Sequence, residues 1–216
     1  LKPISVGLVG LGTVAQGTLQ VLNQNRDELA RRIGRAIEVT HVGARRDRDG
    51  VDLSGVTVSR DLMAVATDPN VDVFVELIGG TDYAKSLIEA AIDSGKHVVT
   101  ANKALIAEHG NSLFEKAQKK GVTIAFEAAV AGGIPVIKAI REGLAANQIN
   151  WLAGIINGTG NFILTAMRED GRDFADVLAE AQALGYAEAD PTFDVEGIDA
   201  AHKLAILASI AFGIPL

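Results

Sequence analysis

The alternation of short apolar runs with longer helical stretches constrains the fold of this chain more than any other feature. Up to about residue 126, segments typical of strands take turns with segments of helical periodicity. The predicted strands cover residues 4–9, 39–44, 56–59, 71–77, 97–100 and 122–126, and the predicted helices cover residues 13–32, 83–93 and 104–119. Because parallel neighbours require crossover connections, this order predicts an α/β fold with a doubly wound parallel sheet.

The pattern changes after residue 126. A turn at residues 131–135 ends in a proline, which is typical of the first turn of a new helix. Beyond it we predict one strand, residues 149–156, and three helices that begin near residues 161, 174 and 198. The chain therefore divides into a domain of residues 1–134 and an α+β domain of residues 135–216. One strand cannot cover the apolar last helix, so we expect the second domain to be truncated here and completed by further residues.

Composition excludes several classes of protein. With 48% hydrophobic and 22% charged residues, 216 residues suffice for a buried core. The absence of cysteine excludes disulfides and thiolate chemistry, and it suits a reducing cytoplasm. The net charge of -7, with no basic stretch, makes nucleic acid and anionic membranes poor partners. No secretory leader and no apolar run of membrane-spanning length is visible, so we expect a cytoplasmic location.

A glycine-rich turn joins the first predicted strand to the first predicted helix. Gly10 permits the tight turn, and Gly12 allows the close approach of a ligand to the backbone. Thr13 and Val14 open the helix, whose N-terminus supplies amide donors to a pyrophosphate. Ala15 takes the third position of this fingerprint, where alanine is an accepted variant. The alternative is an incidental turn, but the strand before it and the helix after it favour a Rossmann-type dinucleotide site.

The end of the second strand bears on the choice between NAD and NADP. Arg45 and Arg46 suit the 2′-phosphate of NADP, because guanidinium groups bind phosphate in a bidentate manner. Asp47 leaves NAD open, since an acid at this place can hold the ribose hydroxyls, and the charges have the alternative of a solvated loop. We favour NADP.

Two further loops follow strands at the edge where such sheets bind ligands. Gly79, Gly80 and Thr81 come after the fourth strand, and Lys103 comes after the fifth. Lys103 has the alternative role of a surface lysine. Its position makes it a candidate for contact with the nicotinamide or with an anionic substrate.

An acidic segment, residues 185–199, precedes the last helix. Asp199 and Lys203 are four residues apart and share one helical face. The alternative is an exposed ion pair worth only about 0.3–0.5 kcal/mol. We favour a functional pair, because the helix is apolar on nearly all sides and burial of a charge pair is costly. Hydride delivery to an aldehyde needs a proton donor, a role that suits Lys203, and Glu188 and Asp194 suit a substrate ammonium.

The residues of this segment resemble the homoserine dehydrogenase family. The match covers the following positions: Ala181, Gly185, Tyr186, Ala187, Asp190, Pro191, Asp194, Val195, Gly197, Asp199 and Lys203. Residues 100–105, 127–135 and 157–159 also resemble the family, in the same order along the chain. So many fixed positions are highly specific, and the resemblance extends from Gly10 to Lys203.

The resemblance implies NAD(P)-linked interconversion of L-homoserine and L-aspartate 4-semialdehyde, in threonine, methionine and isoleucine biosynthesis. It implies Lys203 as the proton donor with Asp199 beside it, and Lys103 near the nicotinamide. We also expect a homodimer or homotetramer, formed with the help of the residues that complete the second domain. The substrate contacts that the resemblance implies are Glu188, Asp194, Gly158 and Thr159.

The family also implies an alkali cation, Na⁺ or K⁺, in the turn between the domains. The expected ligands are backbone carbonyls, with one carboxylate nearby, since such ions prefer hard oxygen ligands. They belong to Glu127, Val130, Gly132 and Ile134. The alternative is a tight interdomain hinge.

Two other functions share part of this pattern. A different amino-acid or sugar dehydrogenase would share the glycine turn but would have no reason to carry the spacing from Glu188 to Lys203. A sensor that binds NAD(P) without turnover would lack a charged cluster beyond the binding domain.

Overall fold

The computed structural model describes all residues from Leu1 to Leu216. The chain forms two compact units, Leu1–Gly132 and Gly133–Leu216.

The first unit is built on a six-stranded parallel sheet. Its strands are β1 (Ile4–Val9), β2 (Ile37–Gly43), β3 (Thr57–Ser59), β4 (Val73–Glu76), β5 (His97–Thr100) and β6 (Ile124–Ala125). Its helices are α1 (Thr13–Gln24), α2 (Arg26–Ile33), α3 (Leu62–Thr67), α4 (Asp82–Asp93) and α5 (Lys103–Lys120), and a 3₁₀ turn follows at Glu127–Ala129. The strand order is β3-β2-β1-β4-β5-β6. The prediction of a doubly wound parallel sheet is confirmed.

The order of the strands places a crevice beside β1. The chain winds from β1 outwards to β3 and then returns to β4 on the other side of β1. In parallel sheets such a reversal opens a crevice at the carboxyl ends of the strands, where ligands bind. The strands hold this geometry through an apolar core in which Leu8, Val42 and Phe74 are fully buried.

Two helical details differ from the prediction. The single helix expected over residues 13–32 is broken at Asn25, which closes α1 by donating its backbone N–H to Val21. Asparagine favours such positions because its side chain competes for backbone hydrogen bonds. Helix α3 was not predicted; Asp61 begins it by accepting hydrogen bonds from the N–H groups of Met63 and Ala64.

The second unit is helical. It contains α6 (Val136–Lys138), which continues as one π-helical turn over Ala139–Gly143, and then α7 (Gly158–Asp170), α8 (Phe174–Ala183), α9 (Thr192–Val195) and α10 (Ile198–Phe212). A small core between α7 and α8 includes Ile163, Val177 and Ala181. The three helices expected near residues 161, 174 and 198 are confirmed.

The prediction of a strand over residues 149–156 was wrong. This segment has no regular secondary structure, because no neighbouring strand in its unit offers a ladder of backbone hydrogen bonds. Two of its apolar side chains project into solvent, with Trp151 75% and Ile155 78% exposed.

The last helix is less buried than its composition predicts. Ile206 and Leu207 are buried, but Leu204 and Phe212 are 48% and 41% exposed. Only one face of α10 therefore packs against the rest of its unit. None of the helices combines the length and the apolarity that a membrane-spanning segment needs.

Candidate active site

The glycine turn after β1 has the geometry that its two glycines predict. Gly10 has a φ of 100°, and a Cβ atom there would lie 2.5 Å from the carbonyl oxygen of Leu77. Only glycine fits this close approach. A Cβ atom at Gly12, by contrast, would meet no atom within 4 Å, so open space lies over the N-terminus of α1. Thr13 and Val14 form the exposed first turn of that helix.

A cavity of 450 Å³ lies over this turn and the end of β2. It is lined by Gly10, Leu11, Gly12, Gly43, Ala44, Arg45, Arg46, Arg48, Leu62, Leu77 and Ile78. The structure thus brings together the glycines and the two arginines that sequence reasoning selected. Arg48, which adds a third positive charge to the cavity wall, was not selected from the sequence.

The acid that follows the two arginines is held by another residue. Both oxygens of Asp47 accept hydrogen bonds from Nη2 of Arg60, at 2.6 and 2.7 Å. Nη1 of Arg60 also donates to the carbonyl oxygen of Ala44, at 2.9 Å. Sequence reasoning missed Arg60, which lies 13 residues further along the chain, and no local spacing signals this contact.

The loops after β4 and β5 carry the other candidates for cofactor binding. Gly79 and Gly80 have φ values of 73° and 74°, and Thr81 precedes the first residue of α4. Lys103 is the first residue of α5, and Asn102 caps this helix by accepting a hydrogen bond from the N–H of Leu105. None of these candidates lines the cavity of the glycine turn, although Gly79 directly follows Ile78, which does.

The ion pair predicted in the second unit is present. Nζ of Lys203 lies 2.6 Å from Oδ2 of Asp199, and the two side chains are only 20% and 13% exposed. The ammonium group also donates a hydrogen bond of 2.7 Å to the carbonyl oxygen of Ile156. The two contacts fix the lysine between α10 and the segment that leads into α7.

Asn157 joins two acids of this site. Its Nδ2 donates to Oδ1 of Asp194, at 2.7 Å, and to Oδ2 of Asp199, at 2.9 Å. Its Oδ1 accepts a hydrogen bond of 2.6 Å from the N–H of Gly160 and so caps α7. Sequence reasoning did not select Asn157 as a site residue, although it stands directly before the selected Gly158 and Thr159.

These groups surround a cleft of 470 Å³. It is lined by Asn157, Gly158, Thr159, Phe162, Tyr186, Asp194, Asp199 and Lys203. The rings of Phe162 and Tyr186 meet edge to face, with centroids 5.3 Å apart, and the Thr159 hydroxyl donates to the carbonyl oxygen of Tyr186 at 2.6 Å. The cleft therefore combines an aromatic wall with two carboxylates and one ammonium group.

Two acids of the same segment lie outside this cleft. The Asp190 carboxylate accepts hydrogen bonds from the hydroxyl and the N–H of Thr192, which lower its pKa and hold the start of α9. Glu188 is exposed, and its backbone carbonyl accepts a hydrogen bond from Gln182. The predicted contact Glu188 therefore does not line the cleft that Asp194 lines.

The turn expected to hold an alkali cation has an unusual backbone. Ala131 has a φ of 51°, and it is the only residue other than glycine with a positive φ. Val130 beside it is fully buried. No group of three or more histidine, aspartate or glutamate side chains is arranged to hold a metal ion.

Comparison with known families agrees with the geometry of both units. The family model described as "Homoserine dehydrogenase, NAD binding domain" matches residues 10–127, and the model described as "Homoserine dehydrogenase" matches residues 135–216. The chain belongs to the homoserine dehydrogenase family.

Homoserine dehydrogenases of several bacteria are similar over the whole chain. The enzyme of Pseudomonas aeruginosa is 69% identical, with 100% of this chain and 50% of that protein aligned. That of Neisseria gonorrhoeae is 54% identical, again over 100% of this chain and 50% of that protein. The chain thus spans about half the length of these curated relatives.

Solved structures of the family show the same fold. The crystal structure of a homoserine dehydrogenase from Thiobacillus denitrificans, 61% identical, has a TM-score of 0.92 over 99% of this chain and 50% of that one. A hyperthermophilic archaeal homoserine dehydrogenase in complex with NADPH is 27% identical and has a TM-score of 0.84 over 99% of this chain and 71% of that one.

Proposed function

We propose that this chain forms the cofactor-binding part and the proton-donating part of a homoserine dehydrogenase. The protein would interconvert L-homoserine and L-aspartate 4-semialdehyde by hydride transfer to and from a nicotinamide. The observation that carries the proposal is the half-buried pair of Lys203 and Asp199, which lines a cleft of substrate size. Residues 1–134 would bind the cofactor, and residues 135–216 would bind the substrate.

The cleft of the second unit supplies the acid–base chemistry that the reaction needs. Reduction of an aldehyde places negative charge on the carbonyl oxygen, and an adjacent ammonium group stabilises that charge and donates a proton. Lys203 has this role, and Asp199 orients it through the contact of 2.6 Å. Asp194 presents a carboxylate to the substrate ammonium, beside the backbone of Gly158 and Thr159. Glu188 is proposed as a further contact to the amino acid.

The first unit supplies the cofactor site. Gly10 and Gly12 receive the pyrophosphate at the N-terminus of α1, where Thr13 and Val14 are exposed. The loop of Gly79, Gly80 and Thr81 and the side chain of Lys103 would contact the nicotinamide end.

The charges at the end of β2 favour NADP over NAD. Arg45 and Arg46 line the cofactor cavity, and Arg48 adds a third positive charge. Asp47, the acid beside them, is paired with Arg60, and this ion pair offsets its negative charge. We therefore assign the two arginines of the cavity to the 2′-phosphate.

Replacement of both arginines tests this assignment. The double variant Arg45→Ala/Arg46→Ala should weaken binding of NADPH by about 1.5–3 kcal/mol for each lost contact and leave NADH affinity nearly unchanged. Arg31→Ala/Arg32→Ala is a matched control, because these neighbouring arginines lie on α2 and bind Glu28. An equal loss for both cofactors would refute the assignment.

The proposed alkali cation, Na⁺ or K⁺, would bind the turn that contains Ala131. A left-handed alanine costs about 1–3 kcal/mol, and a loop that must direct carbonyls at an ion provides a reason for such strain. The ligands would be the carbonyls of Val130, Gly132 and Ile134, with Glu127 nearby. If the site exists, K⁺ or Na⁺ should raise the melting temperature of the protein above that in a large organic cation at equal ionic strength.

The reaction itself is tested by absorbance at 340 nm. A protein of the relatives' full length is given L-homoserine with NADP or with NAD, and reduced cofactor should appear with both and faster with NADP. The whole protein is proposed to be a homodimer or homotetramer, which light scattering measures on the same sample. Absence of turnover with homoserine, despite tight NADPH binding, would contradict the proposed reaction.

A further inference from the structure

A buried carboxylate lies beneath the two loops that would hold the nicotinamide end of the cofactor. Glu76 is the last residue of β4 and is 0% exposed. Thr100, the last residue of β5 and 1% exposed, is its register partner in the neighbouring strand. The Thr100 hydroxyl donates a hydrogen bond of 2.6 Å to Oε2 of Glu76.

The other carboxylate oxygen holds the turn after β4. Oε1 of Glu76 accepts hydrogen bonds from the N–H groups of Ile78, at 2.8 Å, and Gly79, at 3.2 Å. Ile78 and its neighbour Leu77 line the cavity over the glycine turn. Glu76 therefore fixes one wall of the proposed cofactor site from below.

The same network reaches Lys103 through Asn102. The N–H of Asn102 donates to the Thr100 hydroxyl, at 3.0 Å, and its Nδ2 donates to the carbonyl oxygen of Gly80, at 2.6 Å. Its Oδ1 accepts a hydrogen bond from the N–H of Leu105, in the first turn of α5. The loop that carries Lys103 is thus bonded to the turn that carries Gly79 and Gly80.

We infer that Glu76 is a positioning residue, which sets the turn after β4 and the start of α5 in one arrangement for the nicotinamide. Packing alone would be satisfied by an apolar residue, as at the preceding Val75. A buried carboxylate is tolerated only when its oxygens are bonded, and here both hold groups of the cofactor site. The expected effect of Glu76 on turnover rests on the proposed function, whereas its expected effect on cofactor affinity does not.

The test compares Glu76→Gln with a control variant at the other end of the strands, where β5 begins. Lys96 is also buried, 3% exposed, and its ammonium group donates to the carbonyl oxygens of Asp68 and Val71. Lys96→Met therefore removes buried polar contacts of the same unit without touching the proposed cofactor site. Both variants are made in the full-length protein, and melting temperature, NADPH dissociation constant and kcat with homoserine are measured.

Glu76→Gln should raise the NADPH dissociation constant and lower kcat, each by about tenfold. Lys96→Met should lower the melting temperature but leave the NADPH dissociation constant unchanged. Thr100→Val should act in the same direction as Glu76→Gln, and Thr100→Ser, which keeps the hydroxyl, should restore both quantities. If Glu76→Gln does not fold, the threonine variants alone decide whether this hydrogen-bond network affects NADPH affinity and kcat.

A double-mutant cycle tests whether Glu76 acts on turnover through Lys103. In the Lys103→Ala background, Glu76→Gln should lower kcat by much less than it does in the wild type. Additive effects on kcat, or a lower melting temperature with unchanged affinity and kcat, would overturn the inference. If the wild type binds NADPH but does not turn over homoserine, the proposed function fails, and the change in NADPH affinity still decides the role of Glu76.

Discussion

Lys203 and Lys119 each lie four residues from a carboxylate on a helix, with the same N–O separation of 2.6 Å. Their surroundings differ, because the side chains of Lys119 and Glu115 are 71% and 66% exposed, whereas those of Lys203 and Asp199 are 20% and 13% exposed. An exposed pair contributes little to stability, and a half-buried pair in a cleft is suited to chemistry.

Lys203→Ala should lower kcat by about 10²–10⁴-fold and leave the affinity for NADPH nearly intact. Lys119→Ala removes the matched exposed pair and should leave both quantities unchanged. Steady-state kinetics and NADPH titration of the full-length protein measure the difference. Lys203→Arg should not restore turnover, because a guanidinium does not release its proton near neutral pH. Wild-type kcat in Lys203→Ala would make this lysine a structural partner of Asp199 and move the catalytic role to Lys103.

Asn157 has two roles that substitutions can separate. Asn157→Ala should lower stability by about 1 kcal/mol through loss of the α7 cap, and it should also lower kcat. Asn157→Ser keeps an oxygen for the cap but loses the amide that donates to Asp194 and Asp199. The serine variant should therefore unfold at a higher denaturant concentration than the alanine variant and yet show a similarly reduced kcat. Normal kcat in the serine variant would show that the cap is the only role of Asn157.

Single residues of the site were predictable where the contact is local. Asp199 and Lys203 lie one helical turn apart, so their spacing alone predicts the pair that the structure shows. Asn157 contacts carboxylates 37 and 42 residues further along the chain, and the folding of α7 against α9 and α10 that produces these contacts has no signature in the local sequence. The pairing of Asp47 with Arg60 was missed for the same reason.

At the scale of elements, the turn between β1 and α1 contains two glycines that differ in backbone conformation and in the space around them. Gly10 has a φ of 100°, and an added Cβ atom would lie 2.5 Å from a backbone oxygen, whereas Gly12 has a φ of -73° and open space. Gly10→Ala should lower the free energy of unfolding by more than about 2 kcal/mol, which chemical denaturation measures.

Gly12→Ala, the matched substitution two residues later, should leave the free energy of unfolding unchanged. It should nevertheless weaken NADPH binding by about tenfold or more, because its methyl group occupies the space through which the pyrophosphate approaches. Equal stability of the two alanine variants would contradict the close approach at Gly10. Unchanged NADPH affinity in Gly12→Ala would place the cofactor elsewhere.

Elements were predictable where they carry their own periodicity. The six strands of the sheet were found within a few residues, because each is an apolar run between turns. The segment 149–156 is equally apolar, but it forms no strand, since a strand depends on a neighbour that its own sequence does not contain. Helix α3 spans only Leu62–Thr67, which is too short for periodicity to predict.

At the scale of the whole molecule, the second unit exposes large apolar side chains. Ile155, Leu164 and Phe174 line one cavity of 390 Å³ and are 78%, 67% and 44% exposed. Exposed apolar groups of this size usually mark a contact surface. The chains of the curated relatives are twice as long as this one, so in a protein of that length we expect this face to be covered.

Trp151, the one tryptophan of the sequence and 75% exposed, reports on such a cover. The emission of Trp151 is obtained by subtracting the spectrum of Trp151→Phe from that of the wild type. In a full-length protein this emission should lie at shorter wavelength than in the 216-residue chain, and acrylamide should quench it less. Tyr83→Trp, at a half-exposed position on α4, is the control and should give the same emission in both. An emission of Trp151 that is equal in both lengths would contradict the expected cover.

The two hydrogen bonds of the Lys203 ammonium group also limit the direction from which a substrate can reach it in the proposed reaction. Of its three N–H bonds, one points to Asp199 and one to the carbonyl oxygen of Ile156, so a single N–H direction is left for the substrate oxygen. Once that proton has been given away, the lone pair of the neutral amine points at the newly formed hydroxyl group. In the proposed reaction the bound alcohol occupies that one direction, so we expect the amine to regain its proton from bulk water after product release in the reductive direction.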